Sequence, residues 1–122
     1  MKSRIVILNA LPLNAFPTSM TFYVKRIDIF DLIQSIAFHA AHGVDRIESY
    51  IRHKSTLEII KKWLNVINVN IVEKNELYKY QDNDVIFVVT LKKLVRGKEI
   101  ENITIDDLEI FDVTALKGCW IP

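Results

Sequence analysis

A central β-strand is predicted by the run Val85-Ile86-Phe87-Val88-Val89-Thr90-Leu91, in which only Thr90 is polar. Short apolar runs rich in β-branched residues are typical of strands that are covered on both faces of a sheet. Arg4-Ile5-Val6-Ile7-Leu8 has the same character near the N-terminus. We therefore expect residues 85–91 at the centre of a sheet and residues 5–8 in a second buried strand.

Further strands are predicted between and after these two runs. Residues 47–51, 66–72 and 108–113 alternate apolar and polar side chains, which is the pattern of half-buried strands. Residues 20–25 are another strand candidate because aromatic and β-branched residues dominate them.

Two helices are predicted. Asp28 suits the N-cap of the first, whose apolar positions recur at helical spacing and end before Gly43. Ser55 and Glu58 have the spacing of a capping box, which predicts that the second helix begins at Thr56. We expect a single α/β domain over residues 1–122, with about five or six strands and two main helices. Because some strands are joined without a crossover helix, we expect the sheet to be mixed.

Composition excludes several classes of protein. The chain has 122 residues, a net charge of +1 and one cysteine, Cys119, so no intrachain disulfide and no cysteine-based zinc site is expected. A net charge this close to zero gives no overall electrostatic attraction to a membrane or to duplex DNA. No apolar run has the length of a membrane span, and the N-terminus lacks the pattern of a signal peptide. We expect a soluble, cytoplasmic protein.

A candidate anion site lies at the start of the second predicted helix. Arg52, His53 and Lys54 precede the predicted start, where unpaired N–H groups and the positive end of the helix dipole favour an anion. An imidazole there can transfer a proton to a phosphoryl oxygen. The alternative interpretation is that His53 is an ordinary loop residue ahead of a capped helix.

Two loops that follow the buried strands complete the candidate site. The first, residues 9–17, contains Asn9 and Asn14, and open α/β sheets bind ligands beyond the ends of such strands. The second has the densest group of cations in the chain: Lys92, Lys93, Arg96 and Lys98. Alternatively, these cations only mark a solvent-exposed strand end and protect it from pairing with other strands. In the same way, the apolar side chains of the first loop would serve only to plug the core.

His39 and His42 are three residues apart near the end of the first helix, a spacing that suits two metal ligands. No third ligand is visible nearby, and a helix C-terminus favours histidine on dipole grounds alone. We therefore expect no metal site and no cofactor.

The order of these motifs resembles one family. Asn9-Ala10-Leu11 with Asn14, then His53-Lys54-Ser55-Thr56, then a late apolar strand ending in a basic Gly-Lys turn are similar to the small viral ring nucleases of archaeal viruses. These are type III anti-CRISPR proteins with cellular relatives. The resemblance extends from about Ile5 to Val113.

The resemblance implies a homodimer that binds a cyclic oligoadenylate messenger, chiefly cyclic tetra-adenylate, across its two-fold axis and cleaves it without metal. If the protein is viral, its place is the host cytoplasm. The catalytic histidine of the family matches His53, and its active-site arginine matches Lys93. Asn9, Asn14, Ser55 and Thr56 match positions of the family's ligand site. Together with Leu11 of the first motif and the cations of the two basic segments, the predicted ligand-binding residues are Asn9, Leu11, Asn14, Arg52, Ser55, Thr56, Lys92 and Arg96.

This chain departs from the family pattern at several positions. Lys93 stands for an arginine and lacks its planar fork, and Arg96 stands for a glutamate. Pro12 replaces a serine, and Lys54 stands where relatives often carry aspartate. An alternative function is therefore a module that binds cyclic nucleotide or nucleic acid without cleaving it. A third is an interaction protein that contacts a partner through Leu11-Pro12-Leu13.

Overall fold

The computed structural model describes residues 4–17, 19–44, 46–92 and 103–117, which form a single α/β domain. Its six strands are β1 (Ile5–Leu8), β2 (Met20–Ile27), β3 (Arg46–Ser49), β4 (Asn70–Glu73), β5 (Val85–Leu91) and β6 (Leu108–Lys117). Its two α-helices are α1 (Ile29–Ala41) and α2 (Lys54–Leu64). The strands form one mixed sheet in the order β2-β6-β5-β1-β3-β4, so the predicted fold class is confirmed.

Strands β5 and β1 are the two central strands of this sheet. They run parallel, with Ile7 opposite Phe87, and β3 and β4 continue in the same direction on the other side of β1. On the outer side of β5, β6 pairs with it in antiparallel orientation, and β2 in turn pairs antiparallel with β6. Every residue of β1 is buried, as expected of a strand covered on both faces.

The two faces of the sheet are covered differently. Ile5 and Ile7 point to the face on which α1 and α2 pack. Val6 and Leu8 point to the opposite face, where they contact side chains from the loops that follow β1 and β4, including Phe16 and Tyr78. Phe16 and Leu11 therefore plug the core, as one of the two interpretations of that loop predicted, whereas Leu13 of the same loop is 67% exposed.

The predicted cap of α1 is confirmed. The Asp31 N–H donates to the Asp28 side chain at 2.8 Å, and the Asp28 N–H donates to the Asp31 side chain at 3.2 Å, so the two form a reciprocal capping box. The helix ends at a His42 cap, and Gly43 follows with φ at +94°, a conformation that favours glycine.

Several strand boundaries differ from the prediction. β2 and β6 are longer than expected because they pair with each other along their whole antiparallel register, from Met20–Lys117 to Ile27–Ile110. β4 begins only at Asn70, because the chain after α2 continues in a helical turn in which the Ile67 N–H donates to the Leu64 carbonyl. In the part of the chain that the structure describes, no helix combines the length and apolarity needed to cross a bilayer.

Phe87 offers a direct test of the central strand, because its side chain is fully buried. We expect Phe87→Ala to lower the free energy of unfolding by about 3–5 kcal/mol, through lost transfer energy and a residual cavity. Urea denaturation measures it. Phe38→Ala removes the same atoms from a side chain that is 60% exposed and is expected to change stability by about 0.5 kcal/mol or less. Equal losses in both variants would contradict the assignment of β5 to the centre of the core.

Candidate functional site

Three segments of the candidate site leave the sheet at the same edge. Lys92 follows β5, Asn9 follows β1, and Arg52 and His53 follow β3 after a short turn. These strands are adjacent and parallel, so their carboxyl ends lie at one edge, where β5 and β3 are about 10 Å apart across the sheet, two inter-strand spacings. Strand β5 continues three residues beyond Val88, the partner of Leu8, so Lys92 lies further along the strand direction than Asn9. All four side chains are exposed there.

The order of the parallel strands gives this edge a further property. After β1 the chain first forms β2 at the far edge of the sheet; it then adds β3 and β4 on one side of β1 and returns to β5 on the other side. Open α/β sheets bind ligands at the carboxyl ends of strands where the order reverses in this way. Asn9 and Lys92 stand on the two sides of that reversal.

The turn between β3 and α2 is held by buried hydrogen bonds. The Tyr50 N–H donates to the Ile7 carbonyl at 2.9 Å, which extends the ladder between β1 and β3. The Ile51 N–H donates to the buried Ser49 hydroxyl at 3.3 Å. Tyr50 and Ile51 are themselves buried, so the chain reaches solvent only at Arg52 and His53.

The predicted start of the second helix is wrong by two residues. α2 begins at Lys54 with His53 as its N-cap, and the Leu57 N–H donates to the His53 carbonyl at 3.1 Å. Ser55 is therefore inside the first turn and cannot act as the cap. In the described part of the chain no side chain caps this end, and the first turn, residues 54–57, carries no acidic residue. Burial of Thr56 and Leu57 against the sheet sets the earlier start.

Among the described residues, the His53 side chain has one hydrogen-bonding partner. Its Nδ1 atom is 3.3 Å from the hydroxyl oxygen of Thr56, whose side chain is only 3% exposed. The resemblance implied that Thr56 contacts the ligand, but here its hydroxyl faces the imidazole. Ser55, its neighbour, is half-buried.

The remaining ligand-binding candidates are more scattered. Leu11 packs against the core of the loop-covered face. Asn14 lies in a 3₁₀ turn and lines a cleft of about 640 Å³ together with Phe16, Tyr80 and Lys117. The described residues that line this cleft do not include His53. The sheet order therefore brings Asn9, but not Asn14, to the edge that carries His53.

The basic loop after β5 is described only at its first residue. The Lys92 N–H donates to the Asp107 carbonyl at 2.9 Å, which ties the end of β5 to the start of β6. Lys93 and Arg96, the predicted catalytic and ligand-binding cations, lie outside the described residues, as does Lys98.

The two helical histidines make local contacts. His42 Nδ1–H donates to the Phe38 carbonyl at 2.7 Å, and its ring packs on the Phe38 ring with centroids 4.4 Å apart. His39 contacts the same ring edge to face. Within residues 4–17, 19–44, 46–92 and 103–117, no group of three or more metal-ligating side chains comes together.

A polar network that the sequence did not predict lies at the opposite edge of the sheet. Arg4 donates to both carboxylate oxygens of Asp84, at 2.9 and 2.7 Å, and to Glu48 at 2.8 Å. The Tyr78 hydroxyl also donates to Asp84, at 2.5 Å. Arg4, at the start of β1, is thereby connected to the loop before β5 and to β3. Side chains with strongly shifted pKa values often mark a functional site. Here the four side chains of the network are hydrogen-bonded to one another, and a structural role explains their arrangement.

This network shifts the pKa values of its members. Burial, followed by the hydrogen bond to Asp84, raises the pKa of Tyr78 far above its ordinary value of 10.0. Burial alone would lower the pKa of Arg4, but the hydrogen bond and the charge of Asp84 outweigh it and raise that pKa. Burial also raises the pKa of Tyr50.

Neither a protein-family model nor a curated protein sequence matches this chain. Its fold is similar to that of a solved structure, B116 of Sulfolobus turreted icosahedral virus (STIV), with a TM-score of 0.62. The similarity covers 91% of this chain and 98% of that chain at 17% sequence identity. At this identity the comparison shows a shared fold, which therefore also occurs in a protein of an archaeal virus.

Stability at alkaline pH tests the polar network. The unfolded chain releases the Tyr78 proton above about pH 10, whereas the folded protein retains it, so this stabilising contribution is present below about pH 10 and is lost as the pH rises further. We expect Tyr78→Phe to lose about 1.5–3 kcal/mol near neutral pH, through the hydrogen bond to a carboxylate, and to approach the unsubstituted protein above about pH 10.

Urea unfolding at several pH values measures this difference. Tyr23→Phe is the matched control because the Tyr23 side chain is 59% exposed. A difference between Tyr78→Phe and the unsubstituted protein that stays constant up to about pH 11 would contradict the assignment.

Proposed function

We propose that this protein is a ring nuclease that cleaves cyclic oligoadenylate, chiefly cyclic tetra-adenylate, without a metal ion or cofactor. In this proposal it removes the messenger of type III CRISPR defence in the cytoplasm of a host cell. The observation that carries the proposal is the exposed imidazole of His53 at the start of α2, on the sheet edge that also holds Asn9 and Lys92.

The chemistry needs few groups from the protein. The 2′-hydroxyl of one ribose attacks the neighbouring phosphorus, the bond from 2′-oxygen to phosphorus forms, and the bond from phosphorus to the 5′-oxygen breaks. The hydroxyl proton passes to solvent, and imidazolium at His53 protonates the leaving 5′-oxygen. The products are a 2′,3′-cyclic phosphate and a 5′-hydroxyl. Holding the three reacting atoms in line is the main task left to the protein.

The local charge favours a phosphate at this edge. The first turn of α2, residues 54–57, supplies N–H groups without a competing acidic side chain. Exposed Arg52 and Lys92 stand on either side of Asn9 along the edge. In this proposal Lys93 stabilises the charge that develops on the phosphoryl oxygens, and Arg96 adds attraction for the ring.

A second copy of the chain completes the proposed site. A four-fold repeated ring can be bound symmetrically across a two-fold axis, so each subunit needs to supply only half of the contacts. The fold shared with a protein of an archaeal virus supports a viral setting. The histidine and asparagine motifs of the sequence support the specific activity.

A substitution at His53 tests the proposed chemistry. His53→Asn keeps a polar atom near the Nδ1 position and places a residue type favoured at an N-cap where the histidine side chain makes no capping hydrogen bond, but it removes Nε2. We expect it to lower the single-turnover cleavage rate of cyclic tetra-adenylate in EDTA by roughly 10²–10⁴-fold, because the leaving oxygen loses its proton donor. Chromatography of the linear products measures the rate.

His42→Asn is the matched control, because His42 is the C-cap of α1 and its ring is hydrogen-bonded to the Phe38 carbonyl of the same helix. An unchanged rate in His53→Asn would remove His53 from the mechanism. Tight binding of cyclic tetra-adenylate by the unsubstituted protein with no product would instead select the second candidate, a binding module that sequesters the messenger. The departures at Lys93 and Arg96 are the observations that favour this second candidate.

The phosphate contact proposed for Lys92 has its own test. We expect Lys92→Ala to weaken binding of cyclic tetra-adenylate and to reduce the slope of log affinity against log salt concentration by about one for each subunit of the proposed dimer, because each subunit loses one phosphate contact. Fluorescence titration at several salt concentrations measures both. Lys62→Ala removes an exposed charge from the other end of α2 and is expected to leave the salt dependence unchanged. Equal slopes for Lys92→Ala and the unsubstituted protein would exclude this contact.

A further inference from the structure

We propose that Thr56 is a positioning residue that holds the His53 ring by Nδ1, so that Nε2 is the nitrogen presented to a ligand. As a statement about catalysis this inference rests on the proposed function. As a statement about the orientation and protonation of the ring it stands on the structure alone.

The first step is the rigidity of the threonine. Thr56 lies in the first turn of α2 with its side chain 3% exposed, next to the buried Leu57. A threonine in a helix has only two common χ1 rotamers, and burial of Thr56 restricts exchange between them, so its hydroxyl has a defined position. That hydroxyl is 3.3 Å from Nδ1 of His53, at the N-cap three residues earlier.

The second step concerns the hydroxyl proton. Among the described residues, Nδ1 of His53 is the only hydrogen-bonding partner that the Thr56 hydroxyl has. If neutral His53 carried its proton on Nδ1, the hydroxyl would have to accept and its own proton would remain unpaired in a buried position. Buried polar groups without partners are unfavourable, so the hydroxyl donates and Nδ1 accepts. Neutral His53 is therefore protonated at Nε2.

The third step concerns function. When His53 is charged, Nδ1–H has to donate to the same hydroxyl oxygen, and the hydroxyl proton loses its partner. A hydrogen bond from a charged donor is stronger than a neutral one and offsets this cost, so the contact and the ring orientation persist in both protonation states. Nε2 remains outside this contact on an exposed side chain, where a phosphate or a leaving oxygen has access to it. Thr56 then acts on the reaction through His53, and its buried hydroxyl does not need to touch the ligand.

The protein contains an internal reference for the opposite tautomer. His42 Nδ1 is 2.7 Å from the Phe38 carbonyl oxygen, and a carbonyl oxygen only accepts. Neutral His42 is therefore protonated at Nδ1. The two histidines should differ in tautomer within one spectrum.

The test uses ¹⁵N NMR spectra of the imidazole nitrogens in the full chain, recorded without ligand above the ordinary histidine pKa of about 6.5. We expect Nδ1 of His53 to resonate as an unprotonated acceptor and Nδ1 of His42 to resonate as a protonated donor. Thr56→Val keeps the shape of the side chain and removes the hydroxyl, so His53 becomes a mixture of tautomers. Thr56→Ser restores the single tautomer. Amide spectra confirm that each variant is folded.

The kinetic arm uses single-turnover cleavage of cyclic tetra-adenylate. We expect Thr56→Val to lower the maximal rate by about 10–100-fold with the half-saturating concentration unchanged, and Thr56→Ser to recover most of the rate. A protonated Nδ1 at His53 in the unsubstituted protein, or no tautomer change in Thr56→Val, overturns the inference. So does a Thr56→Val effect confined to the half-saturating concentration, because that is the result expected of a ligand contact.

The two arms fail separately. If the unsubstituted protein cleaves nothing, the proposed function falls, while the NMR spectra still decide whether Thr56 fixes the ring. If cleavage depends on His53 but the spectra show no dependence on Thr56, the proposed function stands and the positioning role falls.

Discussion

Parallel pairing of β1 on both of its sides is the constraint on which the rest of this structure depends. Ile7 lies opposite Phe87 of β5 on one side and Ser49 of β3 on the other. A shift of one residue in either register would exchange the side chains that face the helices with those that face the loops. Because β1, β3 and β5 all run in one direction, the segments that follow them leave at the same edge. The candidate site is therefore a consequence of the parallel pairing of these three strands.

The two edges of the sheet carry different kinds of polar residues. At the amino edge, Arg4, Asp84, Glu48 and Tyr78 form a dense set of hydrogen bonds that secures the loop before β5. At the carboxyl edge, Asn9, Arg52, His53 and Lys92 are exposed. Paired charges with fully used hydrogen bonds suit a structural role, whereas exposed cations and an imidazole suit contact with an anion.

A change of two residues in the start of α2 alters the chemistry expected of this edge. With the start at Lys54, His53 becomes the N-cap itself and lies directly at the unpaired N–H groups of the first turn. Ser55 loses its predicted capping role, and Thr56 turns its hydroxyl towards the imidazole. In the proposed mechanism a single helix end supplies both the proton donor and the residue that orients it.

Local patterns in the sequence determined the fold class, the buried character of residues 5–8 and 85–91, and the cap at Asp28. Each of these features depends on a periodicity or a spacing within a few residues, and such a pattern does not depend on which distant segments pack against it. Tertiary structure alone decided the pairing of Arg4 with Asp84, 80 residues away, because side chains so distant meet only through the sheet order. It also decided the true start of α2, where burial of Thr56 and Leu57 outweighed the capping spacing, and the separation of Asn14 from the edge that carries Asn9 and His53. These features depend on which surfaces are buried together, and a local sequence pattern does not contain that information.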